Sequence, residues 1–155
     1  MKKIAKIYDF LKEMGGLERV MFFQANSLLN KGEPFLVFSY IDERNLKNIV
    51  GELGLNKKIR IIPLYNIKSE FLSLFKSFLF PHKIKKIDAD LIISHSFMSS
   101  RITYHQKKRY NTPYVVMMYH PPNFLYPGAK GWVNNLSRFF ASLLGMFLGG
   151  VLRKL

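Results

Sequence analysis

A chain of 155 residues is long enough for one domain with a substantial core and too short for two full nucleotide-binding halves. Its 48% hydrophobic and 15% aromatic content describes a folded protein, and the absence of cysteine excludes disulfides, thiolate catalysis and thiolate metal sites, as expected in the cytoplasm. With 24 Lys and Arg against 10 Asp and Glu, the net charge of +14 favours anionic partners such as nucleic acid, anionic lipid or phosphorylated substrates.

Ile4–Tyr8 is a short apolar run ending at Asp9, the pattern of a buried strand, and Asp9, Lys12 and Glu13 interrupt any secretory leader. Behind it stands Met14-Gly15-Gly16-Leu17-Glu18-Arg19-Val20. Two adjacent glycines between a strand and a helix let backbone amides approach an anion closely, and the helix N-terminus adds its partial positive charge. The alternative is a flexible strand-to-helix turn, because no complete G-x-G-x-x-G pattern is present. Leu17, Val20, Met21, Ala25 and Leu28 recur at helical spacing, and Lys31-Gly32 is expected to close that helix.

Phe35–Tyr40 predicts a buried strand, Asn45–Leu53 a short helix stopped by Gly54, and Ile59–Ile62 a third strand ended by Pro63. Phe71, Leu74, Phe75, Phe78 and Leu79 form an apolar helical stripe that Pro81 terminates. Core packing is expected of that stripe; with Lys68, Lys76, Lys83, Lys85 and Lys86 nearby, a membrane surface is the alternative. Ala89–Ser94 is the fourth strand, and Ser99–Tyr110 a helix with Lys107-Lys108-Arg109 in its last turn, where the macrodipole favours cations. Tyr114–Tyr119 is the fifth strand and leads into His120-Pro121-Pro122.

Strands and helices alternate, and the strands are apolar on both faces. That pattern specifies an α/β fold, a Rossmann-like doubly wound parallel sheet of about five or six strands with helices on both faces. The domain is expected to span 1–133, with a loop-like stretch at 123–135. Residues 134–155 form an amphipathic C-terminal helix, in which Leu136, Phe139, Phe140, Leu143, Leu144, Phe147, Val151 and Leu152 follow a 3.6-residue period. Its uncharged stretch, Phe139–Leu152, reaches only ~21 Å at ~1.5 Å per residue, short of the ~30 Å hydrocarbon core. The helix is therefore expected to pack on the domain or on a partner domain, or to lie on an anionic membrane surface.

In such sheets ligands bind beyond the carboxyl ends of the strands. Three groups fall there: the Gly15-Gly16 turn, His95-Ser96, and His120. Two prolines fix the chain after His120, whose imidazole could accept a proton or bond a sugar hydroxyl, or else cap the strand end. His95, flanked by Ser94 and Ser96, carries the same alternatives, whereas His82 and His105 have no constellation around them. Acidic residues do not cluster with the histidines at ligand spacing, so no metal is expected, and no nucleophile elbow is present. The cations are dispersed (Lys2, Lys3, Lys57, Lys58, Lys107, Lys108 among them) rather than gathered in a stripe, so no nucleic acid is expected as a partner.

The strand Ile4–Tyr8, the run Gly15-Gly16-Leu17-Glu18-Arg19-Val20, and the helix end Leu28-Leu29-Asn30-Lys31-Gly32-Glu33 together resemble the start of a family 4 glycosyltransferase. Asp88-Ala89-Asp90-Leu91-Ile92-Ile93-Ser94-His95-Ser96 is similar to the family's next recognisable strand, and the strand before Tyr119-His120-Pro121 to the one after it. The resemblance implies a GT-B architecture, two Rossmann-like domains with the active site between them, of which this chain is the N-terminal, acceptor-holding one. By the same resemblance Gly15 and Gly16 approach the diphosphate of a nucleotide-sugar donor, His120 lines the reaction centre, and His95 and Ser96 lie on the substrate rim. Glu18 matches the motif, with capping and orienting the helix as its alternative. The implied activity is transfer of a hexosyl group to a lipid-linked or cell-surface glycan acceptor. The spaced glutamate pair of the family's donor-binding half does not occur here, so the resemblance implies a truncated or split member completed by a C-terminal half or a partner polypeptide. A cytoplasmic location follows, with peripheral attachment at the inner face of the cell membrane left open. The alternative is a non-catalytic, basic α/β binding or scaffold module for a membrane surface or partner protein.

Overall fold

The computed structural model describes residues 1–13 and 15–119, so His120, the expected boundary at 133 and the helix expected over 134–155 lie outside the described residues. The described elements are β1 (Lys3–Leu11), α1 (Gly16–Leu28), β2 (Glu33–Ile41), α2 (Glu43–Glu52), β3 (Arg60–Pro63), α3 (Glu70–Leu79), a 3-10 turn (Pro81–Lys83), β4 (Leu91–Ser94), α4 (Phe97–Tyr110) and β5 (Tyr114–Val116). The strands make one sheet in the order β3-β2-β1-β4-β5, and every pairing is parallel.

Parallel neighbours need a crossover helix, which is why unbroken apolar runs alternate here with helical stripes. Alternate residues of β2 divide the core. Leu36 and Phe38 meet Met21, Phe22 and Ala25 of α1 on one face; Phe35 and Val37 join Ile92, Ile102, Ile84 and Ile87 on the other. The chain winds outward from β1 to β2 and β3, then returns to place β4 on the opposite side of β1. The carboxyl ends of β1 and β4 therefore flank the point where strand order reverses, the usual ligand crevice of this architecture.

The strands and helices expected before residue 120 are all present, with instructive differences. β5 stops at Val116 rather than Tyr119 because its partner β4 ends at Ser94, whose carbonyl accepts the Met117 N–H at 2.8 Å. Gly32 is not a left-handed helix cap. A Cβ there would lie 2.5 Å from the Lys2 carbonyl oxygen, so glycine is required where the chain turns against the start of β1. At the end of α4 the left-handed cap is Asn111, with φ 57°.

The largest correction concerns α3. Its inward face is not the Phe/Leu stripe but Ser73 and Ser77, both fully buried. Ser77 Oγ donates to Ser39 Oγ at 3.1 Å and also lies 3.3 Å from Tyr65 Oη. Leu74 and Phe78 are half-buried, while Phe71, Leu72, Phe75 and Leu79 are exposed. Buried hydroxyls require partners, and β2 offers one at Ser39, so the polar seam orients the helix. Among the described residues no helix is long and apolar enough to cross a membrane.

Candidate functional site

The β1–α1 and β4–α4 turns lie side by side. Ile7 of β1 pairs with Ser94 of β4, and the His95 N–H donates to the Ile7 carbonyl at 3.0 Å. Two residues beyond Ile7, Asp9 is buried at the carboxyl end of β1. The Ser96 hydroxyl and the Ser99 N–H favour its carboxylate, but burial disfavours the charge more strongly and pushes its pKa up to about 6. Asp9 Oδ1 has no hydrogen-bond partner among the described residues.

The partners of Asp9 are held by a serine knot. Ser96 caps α4, its Oγ accepting the Ser99 N–H at 3.0 Å, while Ser99 Oγ accepts the Ser96 N–H at 3.1 Å. This reciprocal capping box satisfies two helix-end donors at once. Ser99 Oγ also lies 2.7 Å from Ser96 Oγ and 2.8 Å from Ser94 Oγ. The hydroxyl next to Asp9 thus has little rotational freedom.

On the opposite wall, Gly15 is the N-cap of α1 and cannot supply a side-chain cap. Glu18, three residues later, folds back in its place, and a Cβ on Gly15 would lie 2.5 Å from Glu18 Oε2. Hydrogen bonds from the backbone N–H groups of Glu18 and Gly15 favour the Glu18 carboxylate, yet burial still raises its pKa, with Glu13 adding to the rise. The anion at this helix start is therefore one the chain carries itself. Gly16 has open space where a Cβ would stand, so nothing within the chain demands glycine there.

His95 completes the rim. Its ring is buried, stacks on Tyr119 with centroids 5.9 Å apart and planes 7° from parallel, and has neither nitrogen hydrogen-bonded among the described residues. Burial, and then the Lys6 cation, lower its pKa to about 3, which keeps the imidazole neutral. Lys6 is itself fully buried, and its Nζ donates to Gln24 Oε1 of α1 at 2.6 Å; burial depresses its pKa to about 8. Tyr8 feels both Glu18 and Asp9, whose charges add to burial in raising its pKa.

The structure places Gly15, Gly16 and Glu18 at the start of α1 and His95 and Ser96 at the start of α4, beyond the carboxyl ends of the neighbouring strands β1 and β4. His120 lies outside the described residues. Sequence reasoning missed Asp9, Ser99 and Lys6 as members. A lone acid or base inside an apolar strand run was the available signal, since such a residue needs a partner or a purpose when buried. Chemically, these strand ends hold hydrogen-bond acceptors with elevated proton affinity, a pinned hydroxyl and a neutral imidazole. Such groups suit a hydroxyl-rich ligand better than a bare anion.

No family model and no curated protein matches the sequence. Among solved structures, the chain is similar to a lipopolysaccharide outer core galactosyltransferase, WaaB, in its apo form, with 20% identity and a TM-score of 0.46. The match covers 76% of this chain and 32% of that one, so the chain spans about a third of its length.

Proposed function

We propose that this chain is the acceptor half of a nucleotide-sugar-dependent glycosyltransferase, transferring a hexosyl group to a lipid-linked or cell-surface glycan. A second domain or partner polypeptide would supply the donor-binding half. The observation that carries this is Asp9 held by Ser96, beside His95, at the strand-order reversal, with Tyr8 sensing both Asp9 and Glu18 of the neighbouring α1. Carboxyl, hydroxyl and neutral imidazole groups there can take up sugar hydroxyls, and the resemblance of the Gly15-Gly16 and His95-Ser96 motifs to family 4 points the same way. In this assignment Asp9 accepts a hydrogen bond from the acceptor hydroxyl, and Gly16 leaves room for a donor diphosphate to approach α1. Glu18 swings aside when that diphosphate arrives, because two anions cannot share one helix N-terminus. His120 inherits its place near the transferred sugar from the resemblance alone.

The test is hexose transfer to a lipid-linked glycan by the chain co-expressed with a donor-binding half. His120→Ala and Asp9→Asn are expected to abolish or strongly reduce transfer while far-UV circular dichroism stays unchanged. Unimpaired transfer in both variants removes the rim from the mechanism. A chain whose amide resonances at Gly15, Gly16 and Ser96 ignore added glycan, and which supports no transfer, is instead the non-catalytic binding module.

A further inference from the structure

The connection from β3 to β4 crosses the sheet as α3, the 3-10 turn and then a strap without regular structure, residues 84–88. α4 ties the strap down. The buried Gln106 accepts the Ile87 N–H at 2.9 Å through Oε1, and its Nε2 donates to the Lys85 carbonyl at 3.0 Å. Arg109 Nη1 donates to the His82 carbonyl at 2.8 Å, just ahead of the strap. Ile84 and Ile87 belong to the core, while Lys83, Lys85 and Lys86 are exposed.

Among the strap, α3, β2 and the edge strand β3 lies a cavity of about 550 Å³. Its walls are apolar at Phe35, Val37, Ile62, Ile84 and Ile87. Its cations are Arg60, Lys76, Lys83, Lys85 and Lys86, and none of them is ion-paired among the described residues. Arg60 stands over the Phe35 ring at 5.7 Å and Lys76 over the Tyr65 ring at 4.8 Å, so two of the charges are held by ring faces instead of acids. The acid in the lining, Asp88, is bonded to Lys3. The rim cannot account for this hollow, because Asp9 and Ser96 belong to the ends of β1 and β4, and β2 separates them from β3. Gathered cations repel one another until an anion joins them. An apolar hollow of this size with a few fixed charges is the usual form of a small-molecule site.

We propose that the cavity binds a soluble phosphate ester with a compact apolar body. The body lies against Val37, Ile62, Ile84 and Ile87, and the phosphate sits among Lys83, Lys85 and Lys86. The cations alone would suit any anion; the apolar walls select an ester whose body gains by leaving water. A sugar phosphate would set its hydroxyls against aliphatic side chains without partners. The hydrogen bonds from Gln106 and Arg109 fix the backbone that carries the three lysines, which lowers the cost of ordering them around the phosphate. This site is independent of the glycosyltransferase assignment, so either can fail without the other.

The test is equilibrium dialysis of the full chain against naphthyl phosphate, glycerol phosphate and naphthol, which separate the charge from the apolar body. Naphthyl phosphate is expected to bind about tenfold or more tighter than either of the others, and to weaken as salt rises. Lys85→Gln with Lys86→Gln should weaken it about tenfold and keep the circular dichroism of the parent, since both side chains are exposed. Lys31→Gln with Lys47→Gln removes the same charge at exposed positions away from the cavity and should bind as the parent does. Amide resonances of Ile62, Ile84 and Ile87 should move on addition of naphthyl phosphate, and those of Gly16 and Ser96 should not. The proposal is overturned by no binding, by equal affinity for glycerol phosphate or naphthol, by an unaffected Lys85/Lys86 variant, by equal loss in the Lys31/Lys47 variant, or by shifts confined to the rim. Displacement of bound naphthyl phosphate by phosphatidylglycerol vesicles would overturn it in favour of a lipid headgroup.

Discussion

Replacing Asp9 by asparagine keeps the shape of the buried carboxyl and removes its ability to ionise. The folded-state pKa of about 6 stands well above the ordinary carboxylate value of 3.8. At 1.36 kcal/mol per unit, that difference makes the ionised carboxylate about 3 kcal/mol less favourable in the fold than in the unfolded chain. The sign follows from proton counting. Between the two pKa values the unfolded chain binds fewer protons than the folded one, so stability falls as pH rises. The contribution of protonated Asp9 is complete below 3.8 and gone once pH passes 6. The asparagine variant carries a constant offset, since its amide NH2 group stands where Oδ1 has no partner among the described residues. It has no slope of this origin. The stability of Asp9→Asn relative to the parent should therefore improve by about 3 kcal/mol between about pH 3.5 and about pH 7. That corresponds to about 6–12 °C in relative Tm for a chain of this size. Titration of His95 is common to both proteins and cancels in the difference. Urea unfolding followed by circular dichroism at several pH values measures it. A pH-independent difference would refute the reasoning. A difference running the other way would mean that the hydrogen bonds from Ser96 and Ser99 outweigh burial.

Other consequences are as specific. The His95 imidazole, with its pKa lowered to about 3, should stay neutral from pH 7 down to about pH 5. Its stabilising effect is present above the ordinary value of 6.5 and is lost as pH falls towards 3. Ring carbon and nitrogen chemical shifts report it, and a midpoint near 6.5 contradicts the buried environment. Ser99→Ala removes the centre of the serine knot and half of the capping box, and should lower stability by about 1–2 kcal/mol in denaturant unfolding; no loss would mean the knot is incidental. Gly32→Ala drives a methyl into the Lys2 carbonyl and should destabilise by about 1–3 kcal/mol. Gly16→Ala meets open space and should leave stability unchanged or raise it by up to about 1 kcal/mol. Thermal unfolding of the two alanine variants checks the order, and its reversal would contradict the backbone geometry at both turns.

The strands were legible because parallel strands buried on both faces read as unbroken apolar runs, as Phe35–Phe38 and Leu91–Ile93 do. The Gly15-Gly16 and His95-Ser96 turns were legible because glycine and short polar residues at strand ends mark where the chain leaves the sheet. In the sequence Asp9 marks only the end of a strand. Its burial depends on α4 folding back over β1, a contact between elements nearly ninety positions apart, and no local pattern announces such a contact. The apolar run 114–119 overstates β5 for a similar reason, since the strand's length is limited by where β4 ends.

The orientation of α3 shows most clearly what periodicity can and cannot decide. Hydrophobic spacing establishes that 70–79 is a helix and that one side of it is apolar, but which side meets the sheet depends on what the sheet presents. Here β2 presents Ser39, a hydroxyl in an otherwise apolar strand, and Tyr65 adds a second just beyond β3. A Phe/Leu face laid on them would bury two hydroxyls without partners, at about 1–3 kcal/mol each. The Ser73/Ser77 face instead pairs Ser77 with both and leaves one hydroxyl, Ser73 Oγ, buried with no partner among the described residues. The gain forgone by leaving Phe75 and Leu79 in water is of similar size, about 1.5–3 kcal/mol per fully buried side chain. Two nearly balanced arrangements can be tipped by a further favourable contact on the outer face.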